Sequence, residues 1–157
     1  MPHLVILYTA NLDRLTDMGA LCRELADAML TVRDEDDRPV FPTGGTRVLA
    51  YPAAHSAVAD GGPAGRDAAS ASGRARTGVG SDDPGDYGFM YLNLRMARGR
   101  SAATQQRAGQ AVLAAVRARM DPLMEGRAIG ITLQVDEGHE VYDAKHSTLH
   151  PLFARPA

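Results

Sequence analysis

A single cysteine, Cys22, stands in a chain of 157 residues. One thiol excludes an intrachain disulfide framework and fits a reducing compartment. Flanked by Leu21 and Leu25 in a stretch of helical spacing, Cys22 reads as a small buried apolar residue and not as a nucleophile. Lysine is equally scarce: Lys145 is the only one, and arginine carries the rest of the positive charge. The planar fork of arginine donates two parallel hydrogen bonds, which suits it to clamping a carboxylate. Excess charge is also missing. A formal net charge of -2 supplies no field that would draw the chain to nucleic acid or to an anionic membrane. No apolar run approaches the ~20 residues of a membrane span, and the start lacks the charged region and apolar core of a signal peptide. The expectation is a soluble, cytoplasmic protein. With 45% hydrophobic and 23% charged residues, residues 1–157 suit a single domain, or two small similar halves sharing a core.

The apolar residues fall into two similar patterns. His3 to Thr9 is a continuous apolar run of the kind found in strands buried on both faces. Asp17 is a candidate N-cap for a helix with the stripe Met18, Leu21, Cys22, Leu25, Met29 and Val32. The polar run 33–39 stops that helix, and Phe41 to Gly45 turns the chain into a short strand from Thr46 to Tyr51. The second pattern begins with a strand from Tyr87 to Met96. Ser101 then caps a helix carrying Ala108, Ala111, Val112, Ala115, Val116 and Met120, which Pro122 should kink or end. A last strand, Arg127 to Val135, alternates through Ile129, Ile131 and Leu133. Between the patterns, residues 52–85 are rich in Ala, Gly, Ser and Asp and nearly devoid of large apolar side chains. Such a segment cannot offset its ordering entropy by burial alone, and reads as a long excursion, partly mobile or ordered by a partner subunit.

The fold class expected is therefore α/β (α+β): tandem βαβ units, 2–51 and 87–135, forming a four-stranded sheet with two helices on one face and a tail over 136–157. The other face would stay uncovered, which argues for oligomerisation.

Few constellations carry chemistry. His139, His146 and His150 with Asp143 are spaced too loosely for a metal site, so no metal is expected. Gly61-Gly62 lacks the Lys-Ser/Thr ending of a phosphate loop. Arg95, Arg98 and Arg100 make a local positive cluster without interleaved aromatics, an anion site and not a nucleic-acid surface. Met1-Pro2 is the remaining clue, because methionine is normally removed before proline, leaving a secondary amine. Neutral, that amine is a base; ionised, it returns the proton. The ordinary α-amino pKa is about 7.7–8.0, and burial near arginines would bring a proline amine toward neutrality, where general-base catalysis works best.

Five segments recur in order: Met1-Pro2-His3-Leu4-Val5, Tyr8-Thr9-Ala10-Asn11-Leu12, Phe41-Pro42-Thr43-Gly44-Gly45-Thr46-Arg47, Asp86-Tyr87-Gly88-Phe89 and Gly99-Arg100-Ser101. Together with the tail from Lys145 through His150 to Leu152-Phe153, they resemble the 5-carboxymethyl-2-hydroxymuconate isomerase family, a branch of the tautomerase superfamily. The resemblance implies a homotrimer that shifts a proton in a small anionic unsaturated acid formed in aromatic-acid breakdown, with no metal or organic cofactor. It assigns Pro2 as the catalytic base, and Arg47 and Arg100 to the substrate carboxylates and the dienolate-like transition state. Tautomerisation of a simpler 2-oxo acid and a non-catalytic trimeric binding module remain as alternatives, since fold alone does not decide function. There are four departures. Leu7 stands where relatives commonly have glutamate, which bears on substrate or proton handling. Arg14 is offset by one position, at Asp13, from an arginine of some members, and no role is carried onto it. The excursion is longer than its family counterpart and could reshape the entrance to the site. Finally, a retained Met1 would remove the basic amine.

Overall fold

In the computed structural model, residues 2–72, 76–139, 141–144 and 146–153 are described; Met1 and Lys145 lie outside them, as does the side chain of His150. The described residues form a mixed four-stranded sheet and three α-helices, an α+β architecture. The strands are β1 (His3–Thr9), β2 (Arg47–Ala53), β3 (Gly88–Met96) and β4 (Ile129–Glu137), in the order β2-β1-β3-β4. β1 pairs parallel with β2 and β3 with β4, while the central β1–β3 pair is antiparallel. Each parallel pair is bridged by a helix, α1 (Met18–Thr31) or α3 (Ala102–Met124), and the two helices pack side by side on the sheet.

Leu4, Ile6 and Tyr8 of β1 and Met90, Leu92, Leu94 and Met96 of β3 point toward the helices and are buried. From the helices, Leu21, Leu25 and Met29 of α1 meet them, with Ala108, Val112, Val116 and Met120 of α3. Cys22 is partly buried against this core, as an apolar residue would be. Both expected caps form. Asp17 Oδ1 accepts from the Gly19 and Ala20 amides at 2.8 and 3.0 Å, and Ser101 Oγ accepts from the Thr104 amide at 3.0 Å.

Three expectations need correction. β1 is not buried on both faces: Leu7 is 50% exposed, because no part of the described chain covers the second face of the sheet. Pro122 does not end α3, which continues to Met124. A proline in the last turn removes one donor near a point where the ladder is about to stop anyway. The stop comes from Gly126, whose φ of 74° reverses the chain after the Glu125 cap. The described residues of the excursion, 52–72 and 76–85, make contacts within the chain itself and include a further helix, α2 (Pro63–Ser72). It has no buried residue, so polar contacts hold it in place of apolar burial. Asp60 caps it by accepting from the Gly62 and Ala64 amides at 3.0 and 2.8 Å, and Tyr87 Oη accepts from the Gly65 amide at 2.7 Å. Arg66 pairs with Asp83 at 2.9 Å, and Val79 is buried beneath Gly88. Among the described residues no helix is long and apolar enough to cross a membrane.

Candidate active site

Pro2 is buried immediately before β1. Because β1 and β2 are parallel, their starts lie together, with His3 opposite Arg47. Because β3 runs the other way, it finishes there, with Arg95 opposite His3. The chain then continues over residues 97–100 into the cap of α3. Topology thus brings Pro2, Arg47 and Arg100 to one end of the sheet.

It does not bring the two arginines to one face. Arg47 shares a row with His3 and Arg95 on the uncovered face, since all three alternate with residues buried under the helices. Its Nη1 donates to the Gly45 carbonyl at 3.0 Å, fixed by the 3-10 turn Thr43–Gly45. The tail turn His150–Phe153 packs against that same turn. Arg100 lies on the helix side, where Nη2 donates to the Val40 carbonyl at 2.7 Å and Nη1 to the Ala97 carbonyl at 3.3 Å. It lines a cavity of about 300 Å³ with Arg98, Glu35, Val40, Ser101 and Thr104; Pro2 and Arg47 lie outside this cavity. The arginine cluster read from sequence therefore splits, Arg95 to one face and Arg98 with Arg100 to the other.

Sequence reasoning missed two neighbours. His3 is placed by register alone, and its position directly after Pro2 was the signal for it. Glu35 lies in the polar run 33–39 that follows α1, where nothing local in the sequence marks it out. Its carboxylate accepts from the Ser101 hydroxyl and, at 2.8 Å, from the Thr104 hydroxyl, with Arg107 3.1 Å away. Those hydroxyl bonds, followed by a smaller contribution from Arg107, hold its pKa down at about 2.

Perturbed groups elsewhere serve the scaffold. Burial, and then the hydrogen bond donated to Asp13 at 2.8 Å, push the Tyr8 phenol up to about 12, but Tyr8 is near the far end of β1. Burial also raises the Cys22 thiol, the wrong direction for a nucleophile. Leu7 pairs in register with Tyr51 and Tyr91 on the uncovered face. At about 3.3 Å per residue it stands roughly 17 Å along the strand from Pro2. Among the described residues no three His, Cys, Asp or Glu side chains gather as metal ligands.

A duplicated βαβ unit closed into one mixed sheet is a tautomerase-like fold, and that fold defines the structural class of the chain. A member of the cis-3-chloroacrylic acid dehalogenase family shares the fold at a TM-score of 0.50, with 11% identity over 90% of this chain and 79% of its own. Within the class, the profile of 5-carboxymethyl-2-hydroxymuconate isomerase matches residues 2–70 and 72–153, and the chain belongs to that family of enzymes. The crystal structure of a 5-carboxymethyl-2-hydroxymuconate delta-isomerase is 60% identical, covering 100% of this chain and 95% of its own at a TM-score of 0.88. A 5-carboxymethyl-2-hydroxymuconate isomerase from Deinococcus radiodurans R1 is 23% identical over 98% of this chain and 95% of its own, with a TM-score of 0.71. The Escherichia coli 5-carboxymethyl-2-hydroxymuconate Delta-isomerase is 27% identical over 73 residues, so the match spans 46% of this chain and 58% of that curated relative.

Proposed function

We propose that this enzyme isomerises 5-carboxymethyl-2-hydroxymuconate or a close relative, a step in the breakdown of aromatic acids, with the amine of Pro2 as general base. The observation that carries the reading is the convergence of a buried Pro2, the start of β2 with Arg47 and the β3–α3 loop with Arg100 at one end of the sheet.

Once Met1 is removed, the neutral amine takes the proton of the dienol hydroxyl. The electron pair of that O–H bond forms the carbonyl, the conjugated π electrons move along the chain, and the far carbon takes the proton back from the ammonium. One proton changes place, and no electrons are gained or lost. Arg47 and Arg100 hold the carboxylates and offset the negative charge that develops on the dienolate oxygen.

The assembly in this reading is a trimer. Leu7, Leu49, Tyr51 and Phe89 leave the uncovered sheet face between 37% and 50% exposed, residue by residue. Burying such a patch is favourable by about 25 cal/mol per Å². The row Arg47–His3–Arg95 lies on that same face.

The opposed faces of Arg47 and Arg100 favour a second reading, a non-catalytic trimeric binding module. A paired assay separates the two. Processed and Met1-retaining protein, each verified by intact mass, are tested on 5-carboxymethyl-2-hydroxymuconate. Turnover should rise with pH as the amine loses its proton, and should collapse when Met1 remains, because an amide lone pair is delocalised into its carbonyl. Equal activity in the two forms would sink the proline mechanism; inactivity of both would favour the binding module.

A further inference from the structure

We propose that Glu35 is a positioning residue for Arg100, fixing where the guanidinium stands by tying the N-terminus of α3 to the turn after α1. The proposal rests on the reading of Arg100 as a holder of the substrate anion.

The two bridging helices differ at their starts. α1 carries an acid in its own cap, Asp17, whereas α3 has Ser101 as its cap and no acid in its first turn. Glu35 supplies the missing carboxylate from the other βαβ unit. One oxygen accepts from the Ser101 hydroxyl and the other from the Thr104 hydroxyl at 2.8 Å. A carboxylate at a helix N-terminus is favoured by the helix dipole as well as by these bonds. Arg107 of the next turn reaches Glu35 at 3.1 Å. That pair is about half exposed, so the hydroxyl bonds carry most of the hold.

The residue next to Ser101 is Arg100, and its guanidinium is bonded to the same turn, at the Val40 carbonyl, 2.7 Å away. The turn is itself stiff. Asp34 Oδ1 accepts from the amides of Asp36 and Arg38 at 3.0 and 2.9 Å, and the Val40 amide donates to the Val32 carbonyl at 3.0 Å. Gln105 closes the other side by donating to the Arg100 carbonyl at 3.2 Å and to Glu137 at 2.7 Å. Glu35 thus braces both the backbone of Arg100 and the carbonyl to which its side chain is bonded. Glu35 meets Arg107, while the hydrogen bonds of Arg100 go to neutral carbonyls, which leaves its charge for an anion.

The test is a double-mutant cycle on processed protein with 5-carboxymethyl-2-hydroxymuconate. Glu35→Ala should lower kcat/KM about ten- to a hundredfold, the scale of a small displacement in a site. Glu35→Gln, which keeps an acceptor for one hydroxyl, should recover much of that loss. In an Arg100→Ala background, Glu35→Ala should change kcat/KM less than about twofold, because the residue it positions is gone. Equal losses in both backgrounds would overturn the proposal and leave the role of Arg100 standing. An Arg100→Ala variant with wild-type kinetics would overturn both. Hydrogen exchange supplies a readout free of turnover: amides of 98–104 should exchange faster in Glu35→Ala while those of the sheet do not. Unchanged exchange there would also overturn the positioning role.

Discussion

At one end of the sheet the starts of β1 and β2 lie beside the loop that follows β3; at the other, the starts of β3 and β4 lie beside the turn that follows β1. The first end carries Pro2, Arg47 and Arg100. Its counterparts at the second are the Tyr87-Gly88 strand entry, Gly130 and Arg14, related by the approximate two-fold axis that an antiparallel central pair imposes. Here the same backbone frame has been put to a different use. The Gly88 amide donates to the Ala128 carbonyl at 2.9 Å, Arg14 donates to the Gly80 carbonyl at 2.5 Å, and Tyr87 accepts from the Gly65 amide. Over this end the excursion borders an open groove of about 470 Å³, lined in part by Val58, Ala64, Ala68, Phe89 and Ile129. Duplication yields two equivalent corners, but an amine at a strand start needs a chain terminus. In the proposed mechanism the first corner keeps the chemistry, while the second anchors the inserted segment.

The sharpest way to break this comparison is to remove an arginine from each corner. Arg47→Ala and Arg100→Ala should each cost about 2–4 kcal/mol of transition-state stabilisation, read as kcat/KM, with the fold retained by circular dichroism. Arg14→Ala should leave kcat/KM within about twofold and lower stability by about 1 kcal/mol, the worth of one ordinary hydrogen bond. A kinetic defect in Arg14→Ala as large as that in Arg100→Ala would mean that both corners serve the reaction.

The sheet's two faces offer a second test. Leu49→Asp places a charge in the exposed apolar patch, where it costs little in an isolated subunit and much in a buried interface. If the assembly is the proposed trimer, light scattering should show it giving way to smaller species, with the subunit's circular dichroism unchanged. A variant that assembles as the parent does would move the interface away from this face.

Much of this was legible in the sequence, and the illegible parts share a cause. Alternation such as Leu92, Leu94 and Met96 against Asn93 and Arg95 places a strand because burial acts on each residue separately. Asp17 and Ser101 announce helix starts because capping is local. The corner itself follows from parallel pairing within each unit. The rest depends on polar partners far away in sequence. α2 lacks an apolar stripe and is held from Asp60, Asp83 and Tyr87, so no periodicity marks it. Glu35 resembles any acid in a charged turn until Ser101, 66 residues on, is brought against it. The faces on which Arg47 and Arg100 fall depend on register and on the Val40 turn, and spacing encodes neither.

Acid separates the two corners. Asp86 organises the second one: its carboxylate accepts from Asn11 Nδ2 at 2.7 Å, the Gly80 amide at 2.8 Å and the Ser81 hydroxyl at 3.0 Å. Desolvation pushes its pKa up, but those hydrogen bonds outweigh it and the net shift is downward. A folded pKa below the unfolded one makes the ionised form the stabilising form. The contribution is full above the unfolded carboxylate value of about 4 and fades as pH falls through the folded value. Asp86→Asn should therefore cost about 1–2 kcal/mol near neutrality, and less with each step down in pH. Its melting temperature should converge on that of the parent as the pH falls below the ordinary carboxylate value of about 4. Glu35, at the first corner, is held at about 2, so the difference between Glu35→Gln and the parent should fade as the pH falls from the unfolded value of about 4 through about 2. Thermal unfolding of the three proteins across that range is the measurement. Melting curves of Asp86→Asn that stay parallel to the parent down to the lowest pH would show that the Asp86 charge does not hold the excursion in place.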